Sequence, residues 1–184
     1  MNIYDFDKTI YHGDSSLHFW RYCIKRNPLI LVVLPIQAWN ALRFSLKLTD
    51  DKSGLFSFVR FFKDEKIISD FWDKHEKNLC TWYLKQCKST DVIISASPYF
   101  LIKEAAKRLG VDCIATNVDF KTGKCLDKNC KGEQKIVFFQ EKYPNAKVEK
   151  AYGDSESDSF MMSLADESYF VENISVKGVR MYRK

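Results

Sequence analysis

The sequence predicts an α/β protein in which a parallel sheet core is interrupted early by an all-helical insert. Three observations predict it. Asn2 to Phe6 is strand-like, with Ile3, Tyr4 and Phe6 apolar, yet it ends among Asp5, Asp7 and Thr9, polar groups that a buried strand does not ordinarily place at its own end. Val92-Ile93-Ile94 is a continuous β-branched run of the kind carried by a fully buried parallel strand. After residue 89 strand-like and helical patterns alternate, which favours parallel strands joined by right-handed crossovers, whereas residues 12–89 read as helix throughout.

In chain order, Ser15 and Ser16 are good caps for a helix carrying Leu17, Phe19, Trp20, Cys23 and Ile24, which Pro28 closes. Residues 29–46 are the most apolar stretch, with 13 hydrophobic side chains in 18. Three placements compete for it: packing within the helical part or against another copy, lying in a membrane interface with Lys25, Arg26, Arg43 and Lys47 at its flanks, or spanning a membrane. Packing is the expectation, because the uninterrupted run is only Leu29 to Leu34, short of the ~18 residues of a span.

Helical patterns follow at about Leu55–Phe62 and Glu65–Gln86. Beyond the Val92 strand come a helix from Tyr99 to Leu109 stopped by Gly110, a strand near Cys113–Thr116, and a hairpin turning at Thr122-Gly123. The remainder reads as a helix from Gly132 to Tyr143, a strand Val148–Tyr152, a helix from about Asp158 to Ala165, and strand-like Tyr169 to Val171. The expected organisation is a Rossmann-like core made of residues 1–11 and 90–184, with residues 12–89 as the helical insert.

A length of 184 residues supports one full core, and 46% hydrophobic content excludes intrinsic disorder. The net charge of +5 is modest, and the basic residues are not interleaved with aromatics in a nucleic-acid-binding pattern, so no nucleic-acid partner is expected. Residues 12–89 hold 13 Lys/Arg and 8 Asp/Glu against 16 and 16 elsewhere, which places the whole surplus in the insert. A basic insert over clustered aspartates would draw in an anionic substrate, although exposed helices also carry such a surplus for solubility. The six cysteines include no C-x-x-C pair and follow no secretory signal, so they are expected to be reduced thiols of a cytoplasmic protein, with membrane association as the alternative location. A zinc site at Cys113, Cys125 and Cys130 lacks paired ligand spacing.

Ligands of doubly wound sheets gather at the carboxyl ends of the strands. Here those ends offer Asp5, Asp7 and Thr9, then Ser95, then Gly153-Asp154-Ser155 with Asp158, and a lysine, Lys131 or Lys135, from the helix starting near Gly132. Aspartates brought together in one cleft repel by several kcal/mol unless a cation neutralises them. Hard carboxylate oxygens without a histidine set favour Mg²⁺. Singly, each group is equally at home as a helix cap or turn former.

As an ordered set these residues resemble the haloacid dehalogenase superfamily, and within it the phosphoserine-phosphatase-like hydrolases of subfamily IB, which carry a helical C1-type cap after the first motif. Asp5-Phe6-Asp7-Lys8-Thr9 is similar to the first motif, DxDxT; Ile94-Ser95-Ala96 to the second; and Gly153-Asp154-Ser155-x-x-Asp158 to the fourth. The third, a single lysine, falls on Lys135, preferred for its place before Ile136-Val137, or on Lys131, 23 positions before Asp154.

The resemblance implies a Mg²⁺-dependent phosphatase acting on a small phosphorylated substrate through an aspartyl-phosphate. Asp5 would be the nucleophile and Asp7 the general acid and base, with Thr9 holding the loop and orienting Asp7. Ser95, the N–H of Ala96 and Lys135 would bind the phosphoryl group. Asp5, the Asp7 main chain and Asp154 would hold the metal, supported by Asp158. Specificity would lie in the cap, where His12, Asp14, His18, Trp20 and Arg21 are near enough to a leaving group to be candidates.

Two alternatives accompany this expectation. One is a lipid-phosphate phosphatase meeting a membrane surface through residues 29–46, and the other a non-catalytic binding protein on the same fold. The sequence specifies neither substrate nor oligomeric state.

Overall fold

The computed structural model describes residues 1–46, 48–49, 54–172 and 179–182, so Lys47 of the expected basic flank lies outside the described residues. Among the described residues six strands form one sheet: β1 (Asn2–Tyr4), β2 (Val92–Pro98), β3 (Asp112–Thr116), β4 (Val148–Gly153), β5 (Ala165–Val171) and β6 (Val179–Tyr182), in the spatial order β3-β2-β1-β4-β5-β6. The first five are parallel and β6 closes the edge antiparallel to β5. Strands β2 and β3 run outward on one side of β1 and β4 and β5 on the other, so the strand order reverses beside β1. That is where open α/β sheets bind ligands.

Both sheet faces are covered, which is why the strands read as continuous apolar runs rather than alternations. Ile3, Val92, Ile94 and Ala151 pack with Phe139, Met161 and Met162 of the later helices. Tyr4, Ile93 and Tyr152, one residue on, point to the opposite face and join a cluster with Phe19, Phe71, Trp72, Leu101 and Ile102. The inserted helices therefore share one apolar cluster with the sheet rather than building a core of their own.

The insert contains α1 (Ser15–Arg26), α2 (Leu34–Ser45), α3 (Lys66–His75) and α4 (Thr81–Gln86), with 3₁₀ turns at Pro28–Val33, Ser57–Phe61 and Glu76–Asn78. Asp14, not Ser15 or Ser16, caps α1, its side chain accepting from Leu17 N–H at 2.8 Å. The single helix expected over residues 65–86 is broken. Residues 78–80 pair with residues 10–12, through His12 N–H to Asn78 O and Cys80 N–H to Ile10 O, and this tertiary pairing outbids continuation of the helix.

Residues 29–46 are packed within this chain on one side only. Ile30 and Val33 are buried, but Leu29, Val32, Ile36, Trp39 and Leu42 are at least half exposed.

Beyond β2 lie α5 (Tyr99–Leu109), ended by Gly110 at φ +69°, then α6 (Glu133–Lys142) and α7 (Ser159–Met162). The last is shorter than the helix expected there, because Asp158 belongs to a capping turn and Ala165 already opens β5.

Candidate active site

The cavity at the carboxyl end of the sheet measures about 650 Å³. Its floor is polar, formed by Asp5, Asp7, Ser95, Lys135, Asp154 and Asp158, while Leu17, Trp20, Leu34, Ala41 and Phe44 of α1 and α2 are among its apolar walls.

Asp5 directly follows β1, and its N–H donates to Tyr152 O at 2.8 Å, extending the β1–β4 register to this residue. Lys8 adopts the left-handed conformation at φ +63°, uncommon for a residue with a side chain, and donates its N–H to Tyr11 O and Gly13 O. The chain thus turns sharply after Asp7 and leaves both carboxylates at the sheet end.

Lys135 rises from the first turn of α6 and is almost fully buried. Its Nζ donates to Asp5 Oδ1 at 2.5 Å and to Asp158 Oδ1 at 2.6 Å. The other Asp158 oxygen accepts from the Ser155 N–H and hydroxyl. Both oxygens of Asp158 are thereby committed, and its geometry is that of a residue holding the lysine. Lys131, the alternative, is exposed at the cavity mouth.

Thr9 is buried, with Oγ1 3.3 Å from Asp5 Oδ2 and 3.4 Å from Asp154 Oδ1. It sits between those two carboxylates, and not against Asp7 as the resemblance implies. Asp5, Asp154 and Asp158 each present an oxygen within 4.8 Å of the others. The Asp7 carboxylate stands apart from this group, accepting from Ser15 N–H at 2.6 Å and from Ser97 Oγ at 2.5 Å.

Ser97 is the residue that sequence reasoning missed. It belongs to the strand-end run Ser95-Ala96-Ser97-Pro98, of which only Ser95 and Ala96 match the second motif. In the β2–β3 ladder Ser95 pairs with Ala115 and Pro98 with Thr116, so Ala96 and Ser97 bulge out of register. The bulge re-aims Ser97 towards Asp7. Ser95 accepts the Ser97 N–H through its own hydroxyl, and both line the cavity with Ala96. Of the candidate specificity residues, Asp14 and Trp20 line the cavity, His18 meets the Tyr11 hydroxyl at 2.8 Å, and His12 and Arg21 are exposed.

Burial sets the electrostatics. Desolvation pushes the Asp5 carboxyl up to about 7 against the pull of Lys135, with Asp158 and Asp7 adding to the rise. It raises Asp7 as well, countered by the Ser15 and Ser97 hydrogen bonds, and raises Asp154, where Asp158 adds to it. Burial alone would lower the Lys135 ammonium, but the Asp5 and Asp158 carboxylates hold it above its ordinary value. One buried cation faces several carboxylates, so the site has room in its charge balance for another cation. An oxygen-only donor set suits Mg²⁺, with Asp5 and Asp154 left to hold it once Asp158 is engaged by Lys135 and Ser155.

A family model described as haloacid dehalogenase-like hydrolase matches residues 3–163. Protein CicA of Caulobacter vibrioides (strain NA1000 / CB15N) is 32% identical over 109 residues, 55% of this chain and 44% of that protein, so the match spans less than half of the relative's length. Among solved structures, a Bordetella pertussis Tohama I protein of unknown function superposes with a TM-score of 0.67 at 14% identity, covering 91% of this chain and 87% of the other. A phosphoserine phosphohydrolase-like protein from Francisella tularensis subsp. tularensis SCHU S4 gives 0.56 at 18% identity, covering 91% and 86%. At these identities the structural likeness is one of fold.

Proposed function

The chain belongs to the haloacid dehalogenase-like hydrolases, and on that premise we propose that it is a phosphatase cleaving a phosphomonoester through an aspartyl-phosphate on Asp5. The observation that carries this reading is the convergence of Asp5, Asp154 and Asp158 within 4.8 Å, with Lys135 bonded to the first and the last.

Asp5 attacks phosphorus and the bond to the leaving oxygen breaks, the charge on the transferred group being met by Lys135. Asp7 supplies the proton to that oxygen and later removes one from the water that attacks the aspartyl-phosphate. Its raised pKa suits a group that must be protonated in one step and ionised in the next. The Ser15 and Ser97 donors fix its orientation. Ser95 and Ala96, which line the cavity, would meet phosphoryl oxygens, and the Asp158 bond to Lys135 supports its reach towards Asp5.

Mg²⁺ held by Asp5 and Asp154 would neutralise charge and orient the phosphate. Residues 12–89 serve as a cap over the core of residues 1–11 and 90–184, since α1 and α2 supply the upper walls of the cavity.

The test is hydrolysis of a generic aryl phosphate by the purified protein with Mg²⁺, and acid-stable trapping of phosphoprotein. Asp5→Asn is expected to abolish both while keeping the wild-type fold by circular dichroism. Absence of hydrolysis of any phosphate ester by the wild type sinks the reading.

A further inference from the structure

We propose that the outer face of the segment Pro28–Ser45 docks the protein in the plane of an anionic lipid bilayer. Leu29, Val32, Ile36, Trp39 and Leu42 recur three or four residues apart, the spacing of one helical face, and all are at least half exposed. The segment has a mean hydropathy of 1.3 and is only 17% buried. An apolar stripe of this size on a solvated helix marks an interaction surface.

Charge identifies what covers it. From Ser15 to Thr49 the chain contains no carboxylate, while Arg21, Lys25, Arg26, Arg43 and Lys47 are basic. A second copy would bring the same uncompensated positive charge against itself, whereas an anionic lipid surface suits both the apolar stripe and the basic residues that flank it in sequence.

The opposite face decides between lying in the bilayer surface and crossing it. Gln37 is buried, accepting from Trp20 Nε1 at 3.2 Å and donating to Leu55 O at 2.9 Å. Ile30 and Val33 join the core cluster, and Leu34, Ala38 and Phe44 line the catalytic cavity. One side is thus tied to the protein along its length, which suits an interfacial helix and not a span. Docking also sets the cavity wall beside the lipid surface.

The experiment is co-sedimentation with vesicles of phosphatidylcholine alone or mixed with phosphatidylserine. The wild type is expected to pellet with the mixed vesicles, less as salt is raised, and the triple variant V32E/I36E/W39E to stay in the supernatant. None of these three residues lines the cavity, so the variant is expected to retain aryl phosphate hydrolysis and the wild-type melting profile. Pelleting requires no turnover, which separates failure of this proposal from failure of the phosphatase reading. Wild-type protein remaining soluble with phosphatidylserine vesicles overturns the proposal. So does equal pelleting of the triple variant, or a wild-type dimer on size-exclusion chromatography that the variant dissociates while neither protein pellets.

Discussion

The Ser97 hydroxyl donates to the Asp7 carboxylate at 2.5 Å, joining two residues 90 positions apart in the chain. With Ser15 N–H it is one of two donors that aim the proposed acid. Ser97→Ala is expected to lower kcat by roughly 10- to 100-fold, because a misplaced acid forfeits alignment. Ser97→Thr, which keeps a hydroxyl, is expected to recover most of the loss. Steady-state kinetics on an aryl phosphate decide it, and wild-type turnover by the alanine variant refutes the role.

The two candidate lysines separate cleanly by burial. Lys135→Met removes the buried cation from two carboxylates and is expected to cost about 3–5 kcal/mol of unfolding free energy along with activity. Lys131→Met, on the exposed mouth, is expected to stay within ~0.5 kcal/mol of wild type. Urea denaturation followed by tryptophan fluorescence measures both, and equal losses contradict the assignment.

Gly153 is set by close approach. A Cβ added there would lie 2.5 Å from the Asp158 Cβ, so the side chain that holds Lys135 must shift. Gly153→Ala is expected to destabilise by ~1–3 kcal/mol through overpacking and to remove most turnover. A variant with wild-type melting temperature and rate would show that this contact is slack.

Mg²⁺ and pH act on the same carboxylates. The Asp5 carboxyl is raised from 3.8 in the unfolded chain to about 7, so the folded state binds its proton more tightly. That contribution to stability is fully present below 3.8 and is lost as pH rises through about 7. Without divalent cation, the Asp5 contribution therefore falls across this window as pH rises. Mg²⁺ binding to the ionised carboxylates is expected to raise the melting temperature more at about pH 8 than at about pH 5. Asp154→Asn is expected to erase most of the difference. A Mg²⁺ shift that is absent, or the same at both pH values, counts against the metal site.

The sequence by itself determined the layered α/β plan and the ordered set Asp5, Asp7, Ser95, Asp154 and Asp158. Strand periodicity and acidic strand ends are local signals, and a parallel sheet carries every strand end to the same rim. It favoured Lys135 over Lys131 only through the apolar pair Ile136-Val137 that follows, because the decision itself rests on which ammonium is buried against Asp5. It did not disclose Ser97, aimed by a bulge that exists only where β2 meets β3, or the break at residues 78–80, where pairing with residues 10–12 overrides helical pattern. The exposure of residues 29–46 was likewise decided by tertiary structure. An apolar run states how strongly a segment avoids water, while the space left by its neighbours decides how much of it the fold can bury.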